Sequence, residues 1–415
     1  SLDHATVATP VLITDEGVVT VESVDESGDD PNLADNDYTR LNNLVQMVGD
    51  GVTIELVGVF DWTEPFASIS WSFGSDGVPD TWDDFAIAAP GGFDDVAIRA
   101  DQLGDAMILG PGDMAGVDWE TFLMMWGGTF YGWTVENLDI RGFDWSIAMF
   151  YDSGSDFNGV SIVNNFIEVP TDVPGFHGDP PVGEPWQNVA IHFAGGQGQL
   201  IADNEIVIPG DGLGDNSNPS QVLKAASIGM QSNTHGGSSY DGLGIVENTI
   251  RITEAQTAVP EHIYGIWENG HAHRSDIYIV GNSFVNEHEG NDPALNMQRG
   301  FRVTSHSSDE SVVVYQGNTV VGANIGVHWL GDNYEFQPPF DVEPVLLEDN
   351  TLLGNDTGVW VHTDGLEEPD GAENKVGYAL SKASLYGNRI FGNAVGVRSD
   401  NSEVDAEDNW WGLSL

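Results

Sequence analysis

From about residue 130 onward the chain repeats one short unit: apolar, any residue, Asn, any residue, apolar. It reads VENLDI at Asn137, VNNFIEV at Asn165, ADNEIVI at Asn204, VENTIRI at Asn248 and VGNSFV at Asn282. It continues as QGNTVV at Asn318, EDNTLL at Asn350, YGNRIF at Asn388 and EDNWWG at Asn409. Successive asparagines are 28, 39, 44, 34, 36, 32, 38 and 21 residues apart, irregular but inside the range of solenoid repeats. The short alternating apolar runs on either side predict strands joined by a tight bend. Asn suits such a bend because it tolerates left-handed backbone and bonds local backbone, and stacked asparagines can bond to one another along the axis. The uneven spacing predicts loops of different length leaving a common coil.

A second element follows each bend: Gly, an apolar residue, then an outward residue. It appears as YGIWEN (Gly265), RGFRVT (Gly300), IGVHWL (Gly326), TGVWVH (Gly358) and VGVRSD (Gly396), with SIGMQS (Gly229) as a weaker member. Alignment on these glycines predicts an outward column of Phe150, His192, Gln231, Trp267, Arg302, His328, Trp360 and Arg398. Their predecessors, Met149, Ile191, Met230, Ile266, Phe301, Val327, Val359 and Val397, are all apolar and face inward by period-2 alternation. Stacked parallel rungs of this kind share one continuous apolar core.

The repeat resembles the right-handed parallel β-helix proteins of the pectate-lyase-like superfamily, and within them the copper-binding-protein-like and carbohydrate-binding repeat group. The closing DNWWG is similar to a motif at the ends of such repeat regions. The resemblance implies an all-β fold, a right-handed parallel β-helix over residues 37–415, with extended polysaccharide lying along one outer face. It also implies a capping helix at the start. YTRLNNLVQMVGD (38–50) fits, with Leu41, Leu44, Val45 and Val48 at helical spacing before the apolar strand GVTIELVGVFDW. Residues 1–36, with the strand-like VLITDEGVVTVESV and an acidic linker, form an N-terminal extension that packs along the coil or reaches a neighbour.

Charge changes the picture. Sixty-six acidic side chains face 12 basic ones, a net charge of −54, which repels itself unless salt screens it. The balance points to saline surroundings. It argues against nucleic acid, whose affinity comes from cations on phosphates, and against anionic membranes. No apolar run reaches the 18 residues of a span, so no membrane insertion is expected. The chain has no Cys, so disulfides and Cys-based zinc sites are excluded. An extracellular or cell-surface location is expected.

The outward column carries three aromatics, two His and two of the few Arg, groups that stack on sugar rings or bond hydroxyls and carboxylates. Phe150, His192, Gln231, Trp267, Trp360 and Arg398 are therefore the substrate-binding candidates. Arg302, His306 and His328, with Glu268 and Asp309, are the catalytic candidates. A lyase needs a base for the proton α to a uronate carboxylate and a positive group for the charge that forms. Arg or His suits the first role, and Ca²⁺ on carboxylates the second. Against this, Trp and Phe in the column can equally be a satellite core under long loops. No WIDH-like pectate-lyase segment, polygalacturonase set or DPHE-type epimerase motif is present, and NGHAH (269–273) and THGG (234–237) lack their partners. His262, His271 and His273, and acidic runs at 76–84, 152–156 and 211–215, are weak metal candidates because none has a recognised ligand spacing.

Two functions follow: a secreted polysaccharide-binding or polysaccharide-processing protein of lyase or hydrolase type, or a non-catalytic structural or adhesive module that self-assembles through its N-terminal extension.

Overall fold

The computed structural model describes residues 17–23, 37–62, 87–110, 121–143, 145–149, 155–169, 186–208, 224–232, 240–253, 262–270, 275–287, 298–304, 312–331, 344–363 and 381–412. Within these, every strand pairs with its neighbours in parallel, so each coil lays three short strands on the coil before it. Two faces belong to one 25-stranded sheet that turns a corner in each coil; the third is a separate 10-stranded sheet. This is the expected right-handed parallel β-helix, the hand that parallel crossovers take.

Stacks of like residues fill the core. The first face points Ile162, Ile201, Ile245, Ile279, Tyr315 and Leu347 inward in register. The second face does the same with Ile167, Ile206, Ile250, Phe284, Val320 and Leu352. All are essentially sealed from solvent. At the N-terminal side, Val18–Glu22 runs parallel to Thr53–Asp61, with Val18 opposite Thr53. The described part of segment 1–36 thus adds a strand to its own chain. A helix, Asp37–Val45, stands where the spacing predicts one. It buries Leu41 and Val45, and Val48 just past its end. Arg40 ties it to the preceding strand by donating to the carbonyl of Glu22 at 3.0 Å.

The asparagines form a ladder, but their backbone role differs from expectation. The left-handed residue at the corner is the one before each: Asn164, Asp203, Glu247, Gly281, Gly317, Asp349, Gly387 and Asp408 all have φ between 53° and 68°. From Asn165 to Asn388 the ladder asparagine turns its side chain inward and is buried. Each Nδ2 donates to Oδ1 of the next, from Asn165 through Asn204, Asn248, Asn282, Asn318, Asn350 and Asn388 to Asn409, at 2.8–3.1 Å. The same Oδ1 accepts the previous asparagine's backbone N–H, as at Asn248 to Asn282, 3.0 Å. Asn137 is not a member. It is itself the left-handed residue, φ 62°, and Leu138 stands at the ladder position, donating its N–H to Asn165 Oδ1 at 3.0 Å.

The recurrent glycines have a steric cause. A Cβ on Gly265, Gly300 or Gly326 would lie 2.5 Å from the carbonyl oxygen of the next glycine, and on Gly358 2.6 Å from that of Gly396. The backbones approach too closely for any side chain. Gly326→Ala is therefore expected to destabilise by about 1–3 kcal/mol, the usual range for overpacking, read as a lower urea midpoint at unchanged slope. An unshifted midpoint would show that the rung relaxes freely.

Candidate functional site

On the third face the outward residues recur at intervals of three, across the position that glycine holds in the later coils. Tyr264 and Trp267 face out while Ile266 joins the main core, and the pattern recurs as Arg299 and Arg302. Outward positions therefore run in two columns. The one nearer the glycines passes through Trp145, Val189, Ala226, Tyr264, Arg299 and Ile325. The other passes through Ala148, His192, Gly229, Trp267, Arg302, His328, Trp360 and Arg398.

Six of the eight expected column members are in register, and two rungs need correction. Ala148, not Phe150, lies opposite His192; Phe150 itself falls outside the described residues. Gly229, not Gln231, lies opposite Trp267, and Gln231 sits two places on, against Ala194 and Asn269. In both rungs apolar residues at two alternate positions fit the pattern equally. In SIGMQS the glycine that served as the anchor is an outward residue.

The two halves of the column differ in character. On the N-terminal side Trp145, Ala148, Val189, Tyr264 and Trp267 form a satellite apolar cluster. Trp267 is 2% exposed and His192 5%. The His192 ring lies 4.8 Å from that of Trp145, and its Nδ1 is 3.2 Å from the carbonyl of Met149. Neither offers a surface for a sugar ring. For these two, packing replaces the expected substrate contact.

On the C-terminal side the column is a stack along the coil axis. The rings of His328 and Trp360 are 4.6 Å apart and nearly parallel, and those of Trp360 and His362 5.0 Å apart. Arg398, on the strand beyond, places its guanidinium 4.4 Å from the Trp360 ring centre. The strand order puts His328 and Arg398 on opposite sides of Trp360, so both faces of the indole are occupied and only its edge looks outward. Asp400 fixes the arrangement, accepting from Trp360 Nε1 at 2.9 Å and from Arg398 Nε at 2.6 Å. Toward the apolar half, Arg302 donates to the Tyr264 hydroxyl at 3.4 Å and lies over the rings of Tyr264 and Trp267. Arg299 reaches His328 Nδ1 at 3.3 Å.

Among the described residues neither Arg299 nor Arg302 is paired with a carboxylate, although the chain carries 66 acidic side chains. Burial, then repulsion from Arg299, Arg302, His362 and Arg398, holds the His328 pKa well below the usual imidazole range. Burial also lowers that of Arg299. Nε of Arg299 and of Arg302, Nε2 of His328 and Nδ1 of His362 are buried without a hydrogen-bond partner. A buried donor set of this kind calls for an acceptor.

Of the expected catalytic set, Arg302 and His328 are direct cross-strand partners. Glu268 lies opposite Met230, its side chain outside the description, as are His306 and Asp309. Arg299, Tyr264, His362 and Asp400 were missed. The signal for the first two was present: Y-G-x-W and R-G-x-R place a second outward residue just before the glycine. Among the described residues no group of three potential ligands could hold a metal ion. His271, His273 and the runs at 76–84 and 211–215 fall outside them, as does the side chain of His262. Asp156, from the run at 152–156, accepts from the Tyr131 hydroxyl at 2.8 Å. No helix of the described residues is long and apolar enough to cross a membrane.

No family model matches the chain, and no curated protein matches it. Solved structures do. A mannuronic-acid-specific polysaccharide family 6 lyase from human gut microbiota is 11% identical, covering 92% of this chain and 82% of its own, with a TM-score of 0.34. A family 6 alginate lyase complexed with trisaccharide is 13% identical over 97% and 90%, TM-score 0.31. The A-module of the Azotobacter vinelandii mannuronan C-5 epimerase AlgE6 is 12% identical over 88% and 91%, TM-score 0.31. These are parallel β-helix proteins; at such identities the functional argument rests on this chain's own residues.

Proposed function

We propose that the face carrying Arg299, Arg302, His328, Trp360 and Arg398 binds an anionic polysaccharide, on a secreted or surface protein suited to saline water. The observation that carries this is a pair of arginines that, among the described residues, have no carboxylate partner in a chain of net charge −54. From Arg302 to Arg398 the column spans three strand steps, about 14 Å at the usual strand spacing. An array of cations and N–H edges along an axis suits a polymer with repeated negative groups. Because both faces of Trp360 are occupied, recognition rests on charge and donated hydrogen bonds rather than on stacking against a sugar ring. Lyase or hydrolase chemistry would need a proton acceptor as well, and Nδ1 of His328 is engaged by Arg299.

The net charge gives the test an unusual sign. At low salt the whole molecule repels a polyanion; near 1 M the Debye length is about 3 Å, so that repulsion is screened while the half-buried contacts survive. In affinity electrophoresis, polyuronate gels are expected to retard the protein several-fold more at high salt than at low, with neutral polymers having no effect. Parallel gels with Ca²⁺ show whether the ion takes part. Equal retardation by neutral polymers, or strongest binding at low salt, would sink the proposal.

A further inference from the structure

The two ring nitrogens of His328 have different neighbours. Nδ1 faces Nη1 of Arg299 at 3.3 Å. A guanidinium can only donate, so Nδ1 accepts and the ring proton sits on Nε2. A proton on Nδ1 would set N–H against N–H. Among the described residues the groups whose charge acts on the ring are Arg299 and Arg302 on one side, and His362 and Arg398 on the other. Asp400, near Arg398 along the strand, is held by Trp360 and Arg398. None of these described groups rewards an imidazolium, and burial penalises it, so the ring stays neutral as pH falls through the ordinary imidazole range. Nε2 is buried and has no partner among the described residues.

We propose that Arg299 is a positioning residue that holds His328 as the neutral Nε2–H tautomer, so that the site meets a bound group with donors only. This rests on the reading of the face as an anion site and sharpens it: a group that reaches Nε2–H of His328 is acceptor-only, a carboxylate or sulfate oxygen. His328 then acts as a donor and not as the base that its place among catalytic candidates suggests.

Long-range ¹H–¹⁵N correlation spectra of the ¹⁵N-labelled full chain in high salt decide it, with His328 assigned by its loss in His328→Gln. The expected result is a single Nε2–H tautomer at pH 7.5 that persists to pH 5.5. In Arg299→Met the tautomers mix and the ring titrates at a higher pH, because one source of repulsion is gone, whereas Arg299→Lys, which keeps a donor, retains the wild-type pattern. Acetate or sulfate, added as probes, shifts the Nε2–H resonance, and the stronger response names the oxyanion. An Nδ1–H ring or an imidazolium in the wild type at pH 7.5 overturns the proposal, even if Arg299→Met fails to fold. So does a folded Arg299→Met with unchanged spectra, or no response to either probe. No polysaccharide enters the tautomer measurement, so its outcome is independent of the gel experiment.

Discussion

Asn282→Ala is expected to be among the most damaging single substitutions in the coil, with a loss of roughly 3–6 kcal/mol. Asn282 is fully buried. Its Oδ1 accepts both the backbone N–H and the side-chain N–H of Asn248, at 3.0 and 2.9 Å. Its Nδ2 donates to the carbonyls of Ile245 and Val280 and to Asn318 Oδ1. Truncation strands the backbone N–H and one side-chain N–H of Asn248, and takes a donor from the carbonyls of Ile245 and Val280 and from Asn318 Oδ1, where water cannot replace it. Each buried orphan costs about 1–3 kcal/mol, and a small cavity adds to this. Asn282→Asp should be no better at neutral pH, because a carboxylate has no N–H to pass onward and its charge would be buried. The same change at Asn409, on the last and partly exposed rung, should cost much less. Urea unfolding of the three variants in high salt provides the measurement. A shift at Asn282 no larger than at Asn409 would mean that the ladder follows the fold and does not hold it.

Arg302→Ala is expected to weaken binding of an anionic polysaccharide by about tenfold or more, the worth of one charge-assisted contact, with little change in stability. Among the described residues its polar contact is the Tyr264 hydroxyl, at 3.4 Å. Arg302→Lys should fall between, since it keeps the charge and loses the planar fork. Arg251→Ala separates local from global charge. It removes the same unit charge from the second face, where Arg251 bridges Glu205 and Glu287, and should leave affinity unchanged. If the two alanine variants bind alike, the cluster on the third face has no special part in recognition.

The fold was legible because its two recurrent devices, corner asparagine and glycine, occur in nearly every coil. What the asparagine does was legible only in part. Spacing marks its position, yet Asn164 and Asn165 are adjacent and chemically alike, and only backbone geometry shows which turns left-handed and which enters the core. The outward column was read correctly from Trp267 to Arg398, where Gly265, Gly300, Gly326, Gly358 and Gly396 anchor it. It slipped by two residues at Ala148 and Gly229, where alternation fits either register. The orientation of a ring was beyond sequence reach. Alternation says that Trp360 points outward, but not that His328 and Arg398 lie against its two faces. Likewise Trp267 and Trp360 share a column, yet one is packed in an apolar cluster and the other edges a cationic site.

The ladder also makes coils interchangeable parts on an evolutionary timescale. Every interior asparagine offers its successor the same donor and its predecessor the same acceptor, whatever the length of chain between them: 44 residues from Asn204 to Asn248, 34 from there to Asn282. A gene that lost codons 205–248 would bring Asn204 against Asn282 with no mismatched donor, and a duplicated coil would slot in by the same rule. Lineages can thus lengthen or shorten the coil by whole turns without redesigning its corner, while the loops that leave each turn vary independently. Only the turns from Tyr264 to Asp400 would be held fixed by selection on the cluster they share.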